Sequence, residues 1–560
     1  MDVPSGSPDR ARPALGARRF VWLLAIVVIV LAVNRSVLGF DWLLFDDDIN
    51  ILVNPFLGRG APSSILWAFQ NVDYMRRYLP LGWLGFDALL AVDGYNAAVF
   101  HAASWILTGL NAALAFLVFE KLCRSFHSDP EATAPTRSAA QRCASAALAA
   151  LLWSLHPLRA ENAGWISGLL YLGSTTWALA AVLLYLRAYE PRALSPRRGP
   201  LALAGALCYL ASLLVYPVFL ALPALLAWRA AWADRQWWPA LKLELRRLAT
   251  WWLAAGFALA MNVFARLTAS DAYAPVGSLA PAGAAGSVRT ACAACLHYLV
   301  RTVWPGHVAV FYGPATLLFS RAALWGAAAV LVIAGIFLLA KRATRRPTLA
   351  WTGAALISLS PFLAQLGGDF HASDRYAVLW LAVWCAGVAL LGARLRGNKM
   401  RSACAVLGAG ALAAFLPLYR EALANWKNTA AVQAAIDRST AGHPDVAMSF
   451  ARPAIAFWWL GDQAESARRL REGLRLFPSA PRLAETEKTL REFSARWRER
   501  VGAHTEIPPL AVLHCDLGRA WQAQGEARAA AAHFARAVTL APGYAEAVRG
   551  WRETHANESR

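Results

Sequence analysis

A chain of 560 residues that is 58% hydrophobic and only 16% charged, with a mean hydropathy of +0.38, is too apolar for a soluble protein, in which about 45–50% apolar residues is typical. Its formal charge of +20 would suggest nucleic acid in a soluble chain, but here the basic residues stand in short loops beside apolar runs, the pattern that orients membrane proteins. The composition therefore argues against a nucleic-acid partner and predicts a mainly α, polytopic protein whose surroundings are membrane lipid.

At the start, Arg10, Arg12, Arg18 and Arg19 precede an apolar run that continues past Leu31 without a small-residue cleavage site. This reads as a signal anchor that is retained. Runs long enough to cross a bilayer, alone or inside a bundle, follow at 20–38, 96–119, 143–155, 166–187, 200–215, 217–229, 248–266, 322–340, 348–366, 375–393 and 402–418. The basic clusters around Lys121, Arg192, Arg235, Arg342 and Lys399 fall on one side only if 287–304, which contains Arg289, His297 and Arg301, lies at the membrane interface. The expectation is a cytoplasmic N-terminus at 1–19, a membrane domain at 20–419 with about eleven spans, and outer loops at 39–95 and 267–321. The rest of the chain would face the periplasm from a cell (inner) membrane.

From residue 420 to 560 the composition turns to alternating Ala, Arg, Glu and Leu, as in soluble amphipathic helices. Leu517, Gly518, Trp521, Ala530, Phe534, Ala537 and Pro542 stand at the positions of a 34-residue tetratricopeptide helix-turn-helix repeat. A weaker copy has Ala454, Phe457, Gly461, Leu470 and Pro478, with Gly461 matching Gly525, and a degenerate helical pair is expected between the two copies.

Chemistry-bearing residues cluster on the outer face. Asp46, Asp47 and Asp48 follow the first span; an aspartate costs about 2.5–3.5 kcal/mol at a span centre, so the triplet lies outside the hydrocarbon. Apolar neighbours hold it against the membrane, a setting that raises a carboxylate's pKa for base work or holds a divalent metal. A solvated loop ending the first span is the plainer alternative. Further groups are His101; Arg76 and Arg77; His156, Arg159 and Glu161; and Asp369, His371, Asp374 and Arg375. Any one of these more often serves topology or hydrogen bonding, but all four groups reach one face, where a phosphate-bearing lipid and a general base would meet. Cys292 and Cys295 form a lone C-x-x-C without the second pair that a zinc site needs and read as helical filler.

The motifs Phe45-Asp46-Asp47-Asp48 with Asn54-Pro55, Tyr78-Leu79-Pro80-Leu81, Phe100-His101, Leu110-Asn111-Ala112, Leu155-His156-Pro157 with Glu161, Trp165-Ile166-Ser167-Gly168 and Asp374-Arg375-Tyr376 occur in this order. Together with the terminal repeats, the set resembles the tetratricopeptide-containing transmembrane O-mannosyltransferases and their bacterial relatives, within the GT-C glycosyltransferase superfamily. The resemblance implies a bundle of about eleven membrane helices, a polyprenyl-phosphate-linked sugar as donor, mannose or another hexose, and an extracytoplasmic hydroxyl, on a protein, as acceptor. It assigns Asp46 and Asp47 to the catalytic acidic pair, with Asp48 the alternative partner. Arg375 would face the lipid phosphate, assisted by Arg159 or His156, and His101, Glu161 and Asp374 would complete the substrate site.

The chain departs from that pattern at three places. Leu169-Leu170-Tyr171 stands where an Arg followed by an acidic residue is usual, Val215-Tyr216-Pro217 where Ser-Lys-Glu is frequent, and Thr108 where a second histidine is expected. The implied donor pocket therefore carries less charge. The expected activity is an inverting glycosyl transfer with an aspartate base. A non-catalytic membrane scaffold whose repeats bind partner proteins is the alternative, and a lipid-linked sugar transporter a third reading that the one-sided clustering of charge disfavours.

Overall fold

The computed structural model describes residues 11–54, 56–58, 62–125, 137–189, 198–233, 236–268, 284–306, 309–310, 312, 335, 342–363, 372–395, 397–440, 448–478 and 481–558. It is about 85% helical, and no strand forms among the described residues. Helices of the first part include α1 (Ala11–Val33), α2 (Ala97–Ser125), α3 (Arg137–Ser154), α4 (Leu169–Ala188), α5 (Arg198–Val215), α6 (Leu222–Ala233), α7 (Ala249–Thr268), α8 (Ala284–Val303), α9 (Arg342–Leu363), α10 (Ala377–Arg394) and α11 (Asn398–Ala424). In the C-terminal part they are α12 (Thr429–Thr440), α13 (Met448–Trp459), α14 (Gln463–Leu476), α15 (Pro481–Val501), α16 (Pro509–Ala523), α17 (Ala527–Leu540) and α18 (Ala545–Glu558).

Among the described residues, five helical segments are long and apolar enough to cross a membrane, and six if the pair Trp237–Arg247 and Ala249–Thr268, bent by 63°, counts as one span. They correspond to the expected runs at 96–119, 166–187, 200–215, 375–393 and 402–418, with the bent pair covering 248–266. The runs at 217–229 and 348–366 form shorter apolar helices, Pro217–Trp232 and Leu349–Pro361. The run at 322–340 lies almost wholly outside the described residues. Pro217 marks the break expected between the runs at 200–215 and 217–229: it opens a 3₁₀ turn that detaches α6 from α5, because its ring cannot continue the preceding helix.

Small and hydroxylated side chains let the bundle helices approach. Ser174 of α4 and Ser212 of α5 meet at 3.0 Å, and Ser212 Oγ donates to the Ser174 carbonyl at 2.8 Å. Asn111 of α2 donates to the Leu172 carbonyl at 3.0 Å and accepts from Thr176 at 2.8 Å. Such contacts hold helices together where lipid provides no hydrophobic drive between them.

The C-terminal helices form two hairpins, α13/α14 and α16/α17. Each turns at a glycine in the left-handed region, Gly461 (φ +90°) and Gly525 (φ +80°), where a side chain would be strained. Gly518 lies against Phe534, as close packing of the second hairpin requires. Between the hairpins the structure has one 21-residue helix, α15, in place of the expected degenerate pair.

These helices dock on the segment joining α1 to α2. The Asp41 amide donates to the Lys427 carbonyl at 2.9 Å, and the Leu44 amide to Thr429 Oγ1 at 3.0 Å. Tyr95 Oη lies 3.0 Å from His533 Nε2, whose Nδ1 lies 2.9 Å from His514 Nδ1. Burial pushes His533 down to about 3. Because the unfolded imidazole takes up a proton from pH ~6.5 while the folded one stays neutral, stability is present above that pH and is lost as the pH falls. Lowering the pH from 7 to 5 is expected to cost about 2 kcal/mol through His533. Thermal melting should fall accordingly, and His533→Phe should flatten that dependence.

Candidate functional site

The site is built on the turn that follows α1. Asn34 Nδ2 donates to the Val30 carbonyl at the end of α1, and Tyr419 Oη donates to Asn34 Oδ1 at 2.7 Å, so the turn starts from a fixed point. Three further bonds hold it: Trp42 Nε1 to the Tyr95 carbonyl (3.1 Å), Trp165 Nε1 to the Phe45 carbonyl (2.9 Å), and Tyr74 Oη to the Ile49 carbonyl (2.5 Å). A π-helical turn, Asp48–Leu52, follows.

Within this frame the three aspartates separate. Asp46 has φ +75°, a left-handed conformation that costs a non-glycine residue about 1–3 kcal/mol and persists only where its surroundings enforce it. Its side chain is 18% exposed, and its Oδ1 lies 3.4 Å from Arg452 Nη2 of α13. Asp47 is fully buried. Its Oδ1 accepts from the Ser167 amide (2.8 Å) and hydroxyl (2.6 Å), and its Oδ2 accepts from the Leu43 amide (3.1 Å). Burial pushes Asp47 up to about 8, against the opposing pull of those three bonds. Asp48 is half-buried and is pushed up to about 6 by burial and by Asp46 beside it.

Across from the aspartates, Arg375 Nη1 contacts Glu161 Oε1 at 2.6 Å, and the Arg375 amide donates to Glu161 Oε2 at 2.9 Å. Its guanidinium lies over the rings of Trp165 (5.4 Å) and Tyr376 (5.0 Å). Tyr171 and Tyr216, the residues at two of the departures from the family pattern, meet with ring centroids 4.7 Å apart, and Tyr376 lies 6.3 Å from Tyr171. Tyr216, Asp46, Tyr171 and Tyr376 all lie within electrostatic reach of Arg77; burial alone would lower this guanidinium, but these neighbours hold it above its ordinary value. Arg77 thus connects the aspartate turn to the Arg375 cluster.

One helical turn below Tyr171 an apolar cavity of about 460 Å³ begins. Thr175, Ala178 and Val182 of α4 face Val378 and Ala382 of α10 across it, and Arg229 and Arg394 stand at its far end. Since α10 starts directly after Arg375-Tyr376, the cavity and the polar cluster share two helices.

Other expected site residues sit apart. His101 is fully buried, with Nε2 3.4 Å from the Asp41 carbonyl and its ring edge-on to Phe40. His156 Nδ1 accepts from the Leu158 amide and its Nε2 lies 3.2 Å from the Thr302 carbonyl; burial pushes it down to about 4. Arg159 packs over Trp153, away from the aspartates. Asp374, by contrast, stays with the Arg375 cluster: it is buried in the same 3₁₀ turn, within electrostatic reach of Glu161 and Arg375, and the Tyr312 hydroxyl donates to its Oδ2 at 3.3 Å. Asp369 and His371 lie outside the described residues. Among the described residues no three His, Cys, Asp or Glu side chains gather to hold a metal ion.

Two participants were not singled out from the sequence, whereas Arg77 was placed among the outer-face groups without a role. Ser167 stood within an assigned motif. Arg452 had no signal at all, being a single arginine in an amphipathic helix about 400 residues from its partner. Compared with protein-family models, characterised proteins and solved structures, the chain matches none.

Proposed function

We propose that the chain is an inverting glycosyltransferase that moves a sugar from a polyprenyl-phosphate donor to a hydroxyl on an extracytoplasmic protein. The observation that carries this reading is Asp46, a part-exposed carboxylate held in a strained backbone conformation between Arg77 and Arg452. A cation-lined polar cluster and an apolar cavity on shared helices support a substrate that is both anionic and lipidic.

In this mechanism Asp46 takes the proton of the acceptor hydroxyl as its oxygen attacks the anomeric carbon. The bond between that carbon and the phosphate oxygen breaks, and its electron pair leaves with the lipid phosphate. Arg375, oriented by Glu161, and Arg77 face the charge that develops there. Tyr171 and Tyr216 offer neutral hydroxyls where similar sequences carry charge, which suits a phosphodiester with a single negative charge. Asp47 acts as the anchor of the turn: fully buried and accepting three hydrogen bonds, it lacks the access that a base requires.

The rest of the architecture follows the same reading. The membrane part has about eleven spans with a cytoplasmic N-terminus, and the C-terminal hairpins are tetratricopeptide repeats that bring the acceptor protein to Asp46 from the periplasmic side. The test is transfer by the purified full chain in lipid vesicles containing polyprenyl-phosphate mannose or glucose and serine- or threonine-containing acceptor peptides. Sugar on the acceptor supports the reading. Acceptor binding by the C-terminal helices without transfer from either donor favours the scaffold alternative.

A further inference from the structure

Between α6 and α7 stands a shorter helix, Trp237–Arg247, which meets α7 at a bend of 63°. It lies far from the proposed site. Asn262, on the later part of α7, bonds to the Tyr78 backbone beside Arg77, and the bend at residue 248 is about 20 Å of helix away. With α7 crossing the bilayer, a helix turned this sharply lies closer to the membrane plane than to its normal.

Its inward side is fixed by packing. Leu241, Glu244 and the capping Leu248 recur at helical spacing and face the bundle. Leu248 is fully buried, and Glu244 is buried with Oε2 3.3 Å from Arg247 Nη1 and Oε1 4.0 Å from Arg229 Nη2 of α6. The outward side is apolar and basic. Trp237 and Trp238 are 56% and 48% exposed, and Leu243 and Leu245 are exposed with them. Lys242 and Arg246 are exposed on the same helix, with Lys242 Nζ 5.0 Å from the Trp238 ring centroid. Alongside, the guanidinium carbons of Arg247 and of Arg198, the first residue of α5, lie 4.7 Å and 4.8 Å from the Tyr189 ring centroid.

The surroundings of this face point to what covers it. Beyond the bend, exposed apolar side chains continue onto α7 through Leu253, Phe257 and Leu259, as on a span that faces lipid. Indole rings favour the headgroup layer, and long basic side chains reach from it to lipid phosphates. Among the described residues of this edge the carboxylate is Glu244, which faces inward, so the outward charge is positive. The same face of a second copy would set like charges against each other. We propose that Trp237–Arg247 is an interfacial helix that binds the anionic phospholipid surface of the membrane holding the chain, with Trp237 and Trp238 in the headgroup layer and Lys242, Arg246 and Arg198 on lipid phosphates. This contact does not depend on the glycosyl-transfer reading.

The experiment is photolabelling of the full chain in lipid vesicles with phosphatidylglycerol or phosphatidylcholine carrying the same diazirine near the glycerol. Attachment sites are mapped by mass spectrometry, and yields on the helix are divided by those on the exposed side of α7. Phosphatidylglycerol should label the wild-type helix about tenfold more than phosphatidylcholine, as expected when each basic side chain near the surface adds about 1 kcal/mol to the attraction of anionic lipid. Lys242→Gln with Arg246→Gln should remove most of that excess and leave the phosphatidylcholine yield unchanged. Trp237→Ser with Trp238→Ser should lower the yield from both lipids. Equal yields from the two lipids on the wild-type helix, an undiminished phosphatidylglycerol excess in the charge variant, or labelling of α7 with none on the helix, as when another protein covers it, would each overturn the inference.

Discussion

Replacing Asp46 with asparagine should lower sugar transfer by about 10³-fold, within the range by which a positioned general base accelerates a reaction. The amide keeps the shape and the part-exposed position of the side chain, so membrane insertion and thermal stability should change little. Asp47→Asn is expected to do the reverse. Its amide can still accept from Ser167, but it turns a second donor toward the Leu43 amide, leaving a buried N–H unsatisfied at a cost of about 1–3 kcal/mol. Measuring transfer and melting temperature on both variants separates base from anchor. A large loss of transfer in Asp47→Asn with full activity in Asp46→Asn would reverse the assignment.

The second large effect concerns Arg375. Its removal leaves the Glu161 carboxylate, 3% exposed, without its charged partner, and breaking a buried pair in this way costs about 3–5 kcal/mol. Arg375→Ala should therefore melt well below the wild type and lose transfer. The double variant Arg375→Met with Glu161→Gln removes both charges while the glutamine side-chain oxygen still accepts from the residue-375 amide, so it should recover most of the stability. It should not recover transfer, because the cation opposite the leaving phosphate is still gone. If the double variant were both stable and active, Arg375 would have a structural role only.

Parts of this architecture were visible in the sequence for identifiable reasons. The hairpin glycines could be read because φ values of +80° to +90° strain other residues, so a glycine at matching points of two amphipathic segments marks the same turn. The aspartate triplet stood out because carboxylates are costly near hydrocarbon. Which aspartate does what could not be read, since the three differ only in the direction that the turn gives each, and that direction depends on Ser167, Trp165 and Thr429, which are distant in sequence. Likewise Glu161 and Arg375 were both singled out, but their pairing across 214 residues appears only in three dimensions. The two tyrosines were noted as separate departures, and only their contact makes them one feature. Span number was the least legible quantity, because short apolar runs such as 217–229 and 348–366 form helices whose length alone does not assign them to a full crossing.

The most direct test of the central claim is a cryo-electron microscopy structure of the full chain with polyprenyl-phosphate mannose, using Asp46→Asn to prevent turnover. The phosphate is expected against Arg375 and Arg77, the anomeric carbon facing residue 46 with room for one hydroxyl between them, and the lipid entering the apolar cavity between α4 and α10. A donor phosphate bound away from both arginines, or a sugar beyond hydrogen-bonding reach of residue 46, would contradict it.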